Sequence, residues 1–500
     1  MRRSRFCLQL QGQLQEGCLL RILFYQTKET ANEVRGMNSL KKLFAQVDMT
    51  EGRPWEKIVL FTIPMIIGNV AQQLYNTVDS IVVGRYVGDN ALAAVGSASP
   101  ILNLLLVLFI GISMGASIMV SQYFGSRDRE NLSRTIGSVL TLTAASAVFL
   151  MIVGSVAIRP ILELLNTPAS IIDWCSDYLF IMMYGIAGVA YYNILCGVLR
   201  GLGDSFSALV YLVVATVINI VLDLWFVAGL NMGVPGVALA TVIAQMISAV
   251  LCFLKLRKMK HLFDLKACYL KPHRENIATV VRLGVPSGIT QAIFSLAMVV
   301  VQSLTNSFGE MVIAANVIIM RVDGFAMMPN FSFGTAMTTY SGQNVGAKKL
   351  DRVKEGAKQG TLIAVGTSAA ITGVILLFGR HLMAIFTSTS ELVTLSNNMM
   401  RVLALGYLAM AVTQSLSGVM RGAGDTMTPM WISLITTVAI RVPLAYGIAW
   451  MTRTPEMPGG WYACIWISLL VSWVLGAVIT AVFYRWGSGR KRRWSDANLR

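Results

Sequence analysis

Apolar residues in this chain come in long runs, separated by short polar and basic stretches. Each run holds about 20 residues or more, enough for a helix to cross a hydrocarbon layer roughly 30 Å thick. Six runs lie in the first half, at 58–83, 91–120, 135–158, 174–198, 206–228 and 234–256. Six more follow at 278–306, 312–339, 361–383, 397–420, 428–451 and 460–484. Leu, Met, Ala and Ile fill them, with Gly and Pro as punctuation, and none shows the period-two alternation of a membrane barrel strand. The pattern predicts an all-α integral membrane protein with twelve transmembrane helices.

The halves repeat one another. Gly197-Val198-Leu199-Arg200-Gly201-Leu202-Gly203-Asp204 returns as Gly418-Val419-Met420-Arg421-Gly422-Ala423-Gly424-Asp425, shifted by 221 residues. The same shift of 221 lays Gln122 on Gln343, Gly125 on Gly346 and Gly185 on Gly406. A constant offset marks a duplicated structural unit. Six crossings per unit give two pseudo-symmetric six-helix lobes in one orientation, a parallel repeat about an axis along the membrane normal. Around them the chain divides into an N-terminal extension (1–54, expected to be poorly ordered, with Met37 and Met49 as alternative starts), a first lobe (55–256), a linker (257–277), a second lobe (278–485) and a basic tail (486–500). Duplicated helical halves are the arrangement of transporters, which hold substrate between the halves and alternate its exposure.

Polar positions inside the runs mark the candidate chemistry, because charge within a bilayer is costly. Asn69, Gln72, Gln73, Asn76 and Asp79 share one face of the first span; Thr216, Asn219 and Asp223 share one on the fifth, and Thr241, Gln245 and Ser248 one on the sixth. Asp79 and Asp223 are expected at similar depth near the outer end, with no basic partner in that half. Two such carboxylates cannot both stay ionised in low dielectric, so one takes up a proton or a cation sits between them. The second half carries Arg321, Asp323 and Arg441 instead. Asp323 there either pairs with Arg441 across helices or meets a cationic substrate. Gln291, Met298 and Gln302 stripe the seventh span, while Asn193 and Gln414 are repeat-equivalent amides on the fourth and tenth. With Gln73 and Asn76 they suggest a pocket for varied flat, amphipathic compounds. Pro64, on the helix that bears Asp79, is a candidate bending point.

Composition and charge narrow the remaining classes. Hydrophobic residues make up 55% of the chain and charged residues only 13%, as expected where lipid is the main solvent. The net charge of +16 sits largely in one set of connections and in both tails. That asymmetry places both termini in the cytoplasm of a bacterial cell, with a multi-pass protein in its membrane, and explains the basicity without nucleic acid. The cysteines stand singly and the histidines fall in loops or at a helix end, which argues against a zinc site, a disulfide framework or an enzyme. The doubled Arg-Gly-x-Gly-Asp reads as a tight turn with Asp204 and Asp425 capping the helices that follow.

Several of these phrases together resemble a known family. Gln72-Gln73-Leu74-Tyr75-Asn76-Thr77-Val78-Asp79, Ser121-Gln122-Tyr123-Phe124-Gly125, Ser341-Gly342-Gln343-Asn344-Val345-Gly346-Ala347 and the doubled Arg-Gly-x-Gly-Asp are similar to signatures of multidrug and toxic compound extrusion (MATE) transporters, over residues 55–485. The resemblance implies a two-lobed V with a central cavity, exporting amphipathic, often cationic, drugs against inward H+ or Na+, without a cofactor and as a monomer. Its first-lobe coupling site falls on Asp79, Asn219, Asp223 and Thr241, with Asp79 and Asp223 as the Na+ ligands if Na+ is the ion. Some branches also bind Na+ through acids on helices seven and ten; this chain has Phe294 near the first and no acid in the tenth span, so coupling is assigned to the first lobe. The alternative within the same superfamily is a flippase for a lipid-linked oligosaccharide, which would need a wide cationic cavity.

Overall fold

The computed structural model describes residues 46–165, 167–455 and 459–489. In the first lobe run α1 (Pro54–Tyr86), α2 (Asp89–Ser126), α3 (Arg129–Leu164), α4 (Ile172–Tyr184), α5 (Ile186–Gly201), α6 (Ser205–Asp223) and α7 (Gly233–Lys258). The second holds α8 (Arg274–Asn306), α9 (Glu310–Gly346), α10 (Leu350–Ala384), α11 (Ser390–Gly422), α12 (Met427–Leu434), α13 (Val442–Met451) and α14 (Cys464–Gly489). Among the described residues, 11 helical spans are long and apolar enough to cross a membrane, and α4 with α5 makes a twelfth. Large apolar side chains such as Val156, Leu362 and Leu377 are exposed on the flanks, where water would penalise them and lipid does not.

The fourth span departs from the continuous helix expected over 174–198: α4 and α5 meet at a bend of 55°. The bend falls at Gly185, where a Cβ would collide with both methyl groups of Val242 on α7. Gly185→Ala is therefore expected to destabilise the lobe by about 1–3 kcal/mol, the usual cost of overpacking. Thermal unfolding in detergent should show the loss, and Val242→Ala should restore it; a Gly185→Ala protein that melts like wild type would disprove the tight contact. Two other spans contain wide π-helical turns, Leu224–Gly229 directly after α6 and Ile435–Arg441 between α12 and α13.

One apolar core fills each lobe. A third, around Met49, Ile58, Phe61, Phe333, Met337 and Tyr340, joins the start of α1 to α9 and α10. The lobes meet along α2 and α8, where Gly111 and Gly115 face the backbone of Gly284 and Val280, and at the end where α2 and α9 finish. There a Cβ on Gly125 would strike the carbonyl of Gln343, and one on Gly346 that of Gln122, so the backbones meet directly. The repeat then makes reciprocal bonds. Gln122 Nε2 donates to the Gly422 carbonyl at 2.9 Å, and Gln343 Nε2 to the Gly201 carbonyl at 3.1 Å. The doubled phrase thus supplies the acceptor on each side of the seam. Its aspartates also cap as expected: Asp204 Oδ1 accepts from Ser207 N at 2.9 Å and Asp425 Oδ1 from Thr428 N at 3.0 Å.

The extension expected to be poorly ordered lies outside the described residues up to 45, and from Val47 onward it is fastened down. Val47 N donates to Gly203 O at 3.0 Å, Met49 N to Gln343 Oε1 at 2.9 Å, and Arg352 reaches the carbonyls of Met49 and Gly52. Met49 is buried. An apolar anchor flanked by satisfied backbone groups accounts for the order. The chain between α7 and α8 lies along α3, held by Arg129 to Asp264 at 2.9 Å and by Asp264 N to Ser133 Oγ at 2.8 Å.

Candidate functional site

In the first lobe the intramembrane polar groups converge between α1, α4, α6 and α7. Asn219 and Asp223, four apart on α6, share a face and are fully buried, with Thr241 of α7 buried beside them and Asp79 of α1 half-buried. Asn219 Nδ2 donates to Thr241 Oγ1 at 3.4 Å, and the Tyr75 hydroxyl meets the same oxygen at 3.2 Å. Asp79 and Asp223 are near enough for their carboxyl groups to influence one another. Asp223 closes α6, and the π-helical turn begins at the next residue. Such widened turns recur at functional sites because they re-aim the adjoining side chains.

Four oxygen atoms in this cluster are buried and accept no hydrogen bond: Asp79 Oδ1, Asn219 Oδ1, Asp223 Oδ1 and Asp223 Oδ2. Buried polar atoms are normally paired, and ionised carboxylates and amide oxygens only accept. What this cluster lacks is a positive charge. A proton held between the two carboxyl groups, or a small hard cation among the oxygens, would supply it. No group of three His, Cys, Asp or Glu occurs among the described residues, so the donor set suits a cation that binds few hard oxygens and not a thiolate- or imidazole-bound metal.

Two tyrosines complete the site without having been singled out in the sequence. Tyr75 sits one turn before Asp79 on the same helix face, a spacing that could have revealed it. Tyr178 comes from α4 and lies within electrostatic reach of both carboxylates; nothing in its own apolar span signals that.

The residues expected to line a single substrate pocket separate into several places. Met298, Gln302 and Asp323 line a cavity of about 500 Å³ in the second lobe with Asn316, Arg441 and Trp466. Gln291 and Gln414 line another of about 160 Å³ between α8, α9, α11 and α14, which the α2 residues Ile110 and Met114 help to close. Asn193 turns back to its own helix, donating to Val189 O at 2.8 Å. On α1, Gln73 is half-buried and Asn76 exposed, and Asn69 crosses to the second lobe, donating to Ser332 Oγ at 2.9 Å.

The cross-helix ion pair expected of Asp323 is corrected. Tyr407 donates to Asp323 Oδ1 at 2.9 Å, while Arg441 faces the same cavity without direct ion-pair contact. The π-helical turn ending at Arg441 sets its direction, which a straight-helix reading does not anticipate. Pro64 is buried in α1, which runs unbroken from Pro54 to Tyr86. Lacking an N–H, it frees a carbonyl one turn earlier and leaves the helix able to bend there. The adjoining Phe61 carbonyl accepts from Ser205 Oγ at 3.0 Å.

Comparison with known proteins agrees with this layout. The MatE family model matches residues 64–225 and 286–447, one copy per lobe. The probable multidrug resistance protein YoeA of Bacillus subtilis is 31% identical over 427 residues, covering 83% of this chain and 92% of the relative. The probable multidrug resistance protein NorM of Thermotoga maritima is 24% identical over 446 residues, covering 87% of this chain and 93% of that one. Among solved structures, an outward-facing multidrug resistance MATE family transporter superimposes with a TM-score of 0.82 at 24% identity, over 89% of this chain and 98% of that one.

Proposed function

Because this chain belongs to the MatE family, and so is a transporter and not an enzyme, we propose that it exports amphipathic, often cationic, drugs and toxic compounds in exchange for an inward-moving cation. The observation that carries the coupling is the cluster of donor-less oxygens around Asp79 and Asp223. Two neighbouring carboxyl groups suit a shared proton, and the Asn219 and Tyr75 bonds to Thr241 order the wall beside them. Cation entry changes which conformation of α1 is favoured, because only the occupied site can bring the two carboxyl groups together without repulsion. Bending at Pro64 then narrows the first-lobe side of the cleft and expels the drug.

Alternating access is supported by the seam. It lies beside Arg127, Arg129, Lys348 and Lys349, the basic connections that mark the cytoplasmic side. Closure at that end corresponds, in this reading, to the outward-facing state, with both termini in the cytoplasm. The relatives named for multidrug resistance support drug as the cargo. The flippase reading would call for one wide basic cavity, whereas Arg421 and Arg441 stand in separate cavities of about 160 and 500 Å³.

The test is ethidium efflux from proteoliposomes under a pH gradient or a Na+ gradient imposed separately. A pH gradient alone is expected to drive efflux. Movement driven only by Na+ would reassign the coupling ion to the same oxygens, and transport indifferent to both gradients would overturn cation coupling.

A further inference from the structure

Residues 47–52 cross the seam from one lobe to the other. On the first lobe Val47 N donates to the Gly203 carbonyl at 3.0 Å, and a Cβ on Gly203, whose φ is +88°, would strike the Val47 carbonyl. Arg127 pairs with Glu51 at 3.4 Å on the same side. On the second lobe Met49 N donates to Gln343 Oε1 at 2.9 Å. The Met49 carbonyl accepts from Asn344 Nδ2 at 3.1 Å and Arg352 Nη2 at 3.2 Å. Lys349 Nζ donates to the Thr50 carbonyl at 3.0 Å and Arg352 Nη1 to the Gly52 carbonyl at 2.9 Å.

The repeat is broken at this strap. A shift of 221 residues turns Gly203, Asn344, Lys349 and Arg352 into Gly424, Tyr123, Asp128 and Asn131, and these four line an open cavity of about 840 Å³. Asp128 and Asn131 bond to each other there, at the start of α3. The groove that holds the strap on one side of the seam thus stands open on the other.

We propose that residues 47–52 form a latch that keeps the seam closed and lets go of one lobe in every transport cycle. Opening the seam parts Gly203 from Gln343 and Arg352, and the strap cannot follow both. Its hold on the first lobe is one backbone bond and an exposed ion pair, and exposed pairs contribute little. On the second lobe it has five bonds, three of them from charged donors, and the buried Met49. Val47 is therefore the end that releases, and Arg352 is the positioning residue that keeps the rest in place. The strap continues into α1, so a change in that helix when a cation meets Asp79 reaches the seam. This assignment rests on the alternating access of the export reading.

The experiment is pulsed electron resonance on the purified full chain in nanodiscs, without drug or gradient. Spin labels go at Glu130 and Lys358, both exposed and on opposite lobes. Val47→Pro removes the N–H that Gly203 accepts and leaves the second-lobe bonds in place. It should raise the ratio of long to short distances about 2- to 10-fold, the contribution of one neutral hydrogen bond. Arg352→Gln should raise it about tenfold or more, since two charge-assisted bonds go. Unchanged distances in both variants overturn the latch, even where thermal stability falls. Where Arg352→Gln does not fold, a tether decides. Glu51→Cys with Arg127→Cys, joined by a short reducible linker in proteoliposomes, should stop ethidium efflux, and reduction should restore it. Efflux equal to that of the singly substituted proteins under the same treatment overturns the latch. Longer distances in Val47→Pro and Arg352→Gln of a protein that moves no drug would refute export and leave the latch standing.

Discussion

Replacing Asp223 or Asp79 by Asn is expected to cut gradient-driven efflux sharply while leaving drug binding in place. Asn keeps the volume and an acceptor oxygen but fixes the neutral state, so the site no longer changes charge during the cycle. A coupling free energy of typically 1–3 kcal/mol corresponds to about a 5- to 150-fold change in the affected equilibrium. The initial rate under a pH gradient should fall within that range in either variant, and the rate should lose its dependence on the gradient. Ethidium binding measured by fluorescence should stay near the wild-type value, because Asn keeps the size and shape of the side chain it replaces. The same efflux assay decides the matter. Undiminished pH-driven transport in both variants would remove the coupling role from the Asp79–Asp223 pair, however suggestive their unpaired oxygens.

The second large effect concerns the seam. Gly125→Ala and Gly346→Ala each place a Cβ against a backbone carbonyl of the opposite lobe, at Gln343 and Gln122 respectively. A backbone atom cannot rotate away as a side chain can, so relief requires the helix ends to separate. Overpacking costs about 1–3 kcal/mol per site, enough to move a two-state equilibrium strongly away from the sealed form. Separation would also break the reciprocal glutamine bonds to Gly201 and Gly422. Spin labels at Asn131 and Lys354, one on each lobe beside the seam, should report longer distances in these variants by pulsed electron resonance. Gly366→Ala is the control. A Cβ there meets nothing, and the helix gains propensity from the change. If the labelled distance is the same in Gly125→Ala, Gly346→Ala and Gly366→Ala, the contact does not hold the lobes closed.

Much of the architecture was legible because it depends on the chain's relation to itself. The length of apolar runs gave the crossings, and the offset of 221 residues gave the two lobes. Helical spacing alone grouped Asn219 with Asp223, and it located Thr241 on its own stripe of the next helix. Where a side chain needs a partner from another helix, the pattern was silent. Tyr178 gave no sign that it approaches both acids, and Arg421 read as a loop cation while its guanidinium lies against a buried cavity. The amides and methionine expected to share one pocket fell into separate places for the same reason.

The sequence by itself determined that this is a duplicated, twelve-crossing helical protein with two acids stranded in its first lobe. Periodicity records which face of a helix a residue occupies, and nothing more. Only the tertiary structure decided which faces meet. The 55° bend at Gly185 and the π-helical turns Leu224–Gly229 and Ile435–Arg441 rotate side chains away from straight-helix directions. The two π-helical turns adjoin Asp223 and Arg441 directly. They follow from close packing between segments distant in sequence, information that no single helix carries.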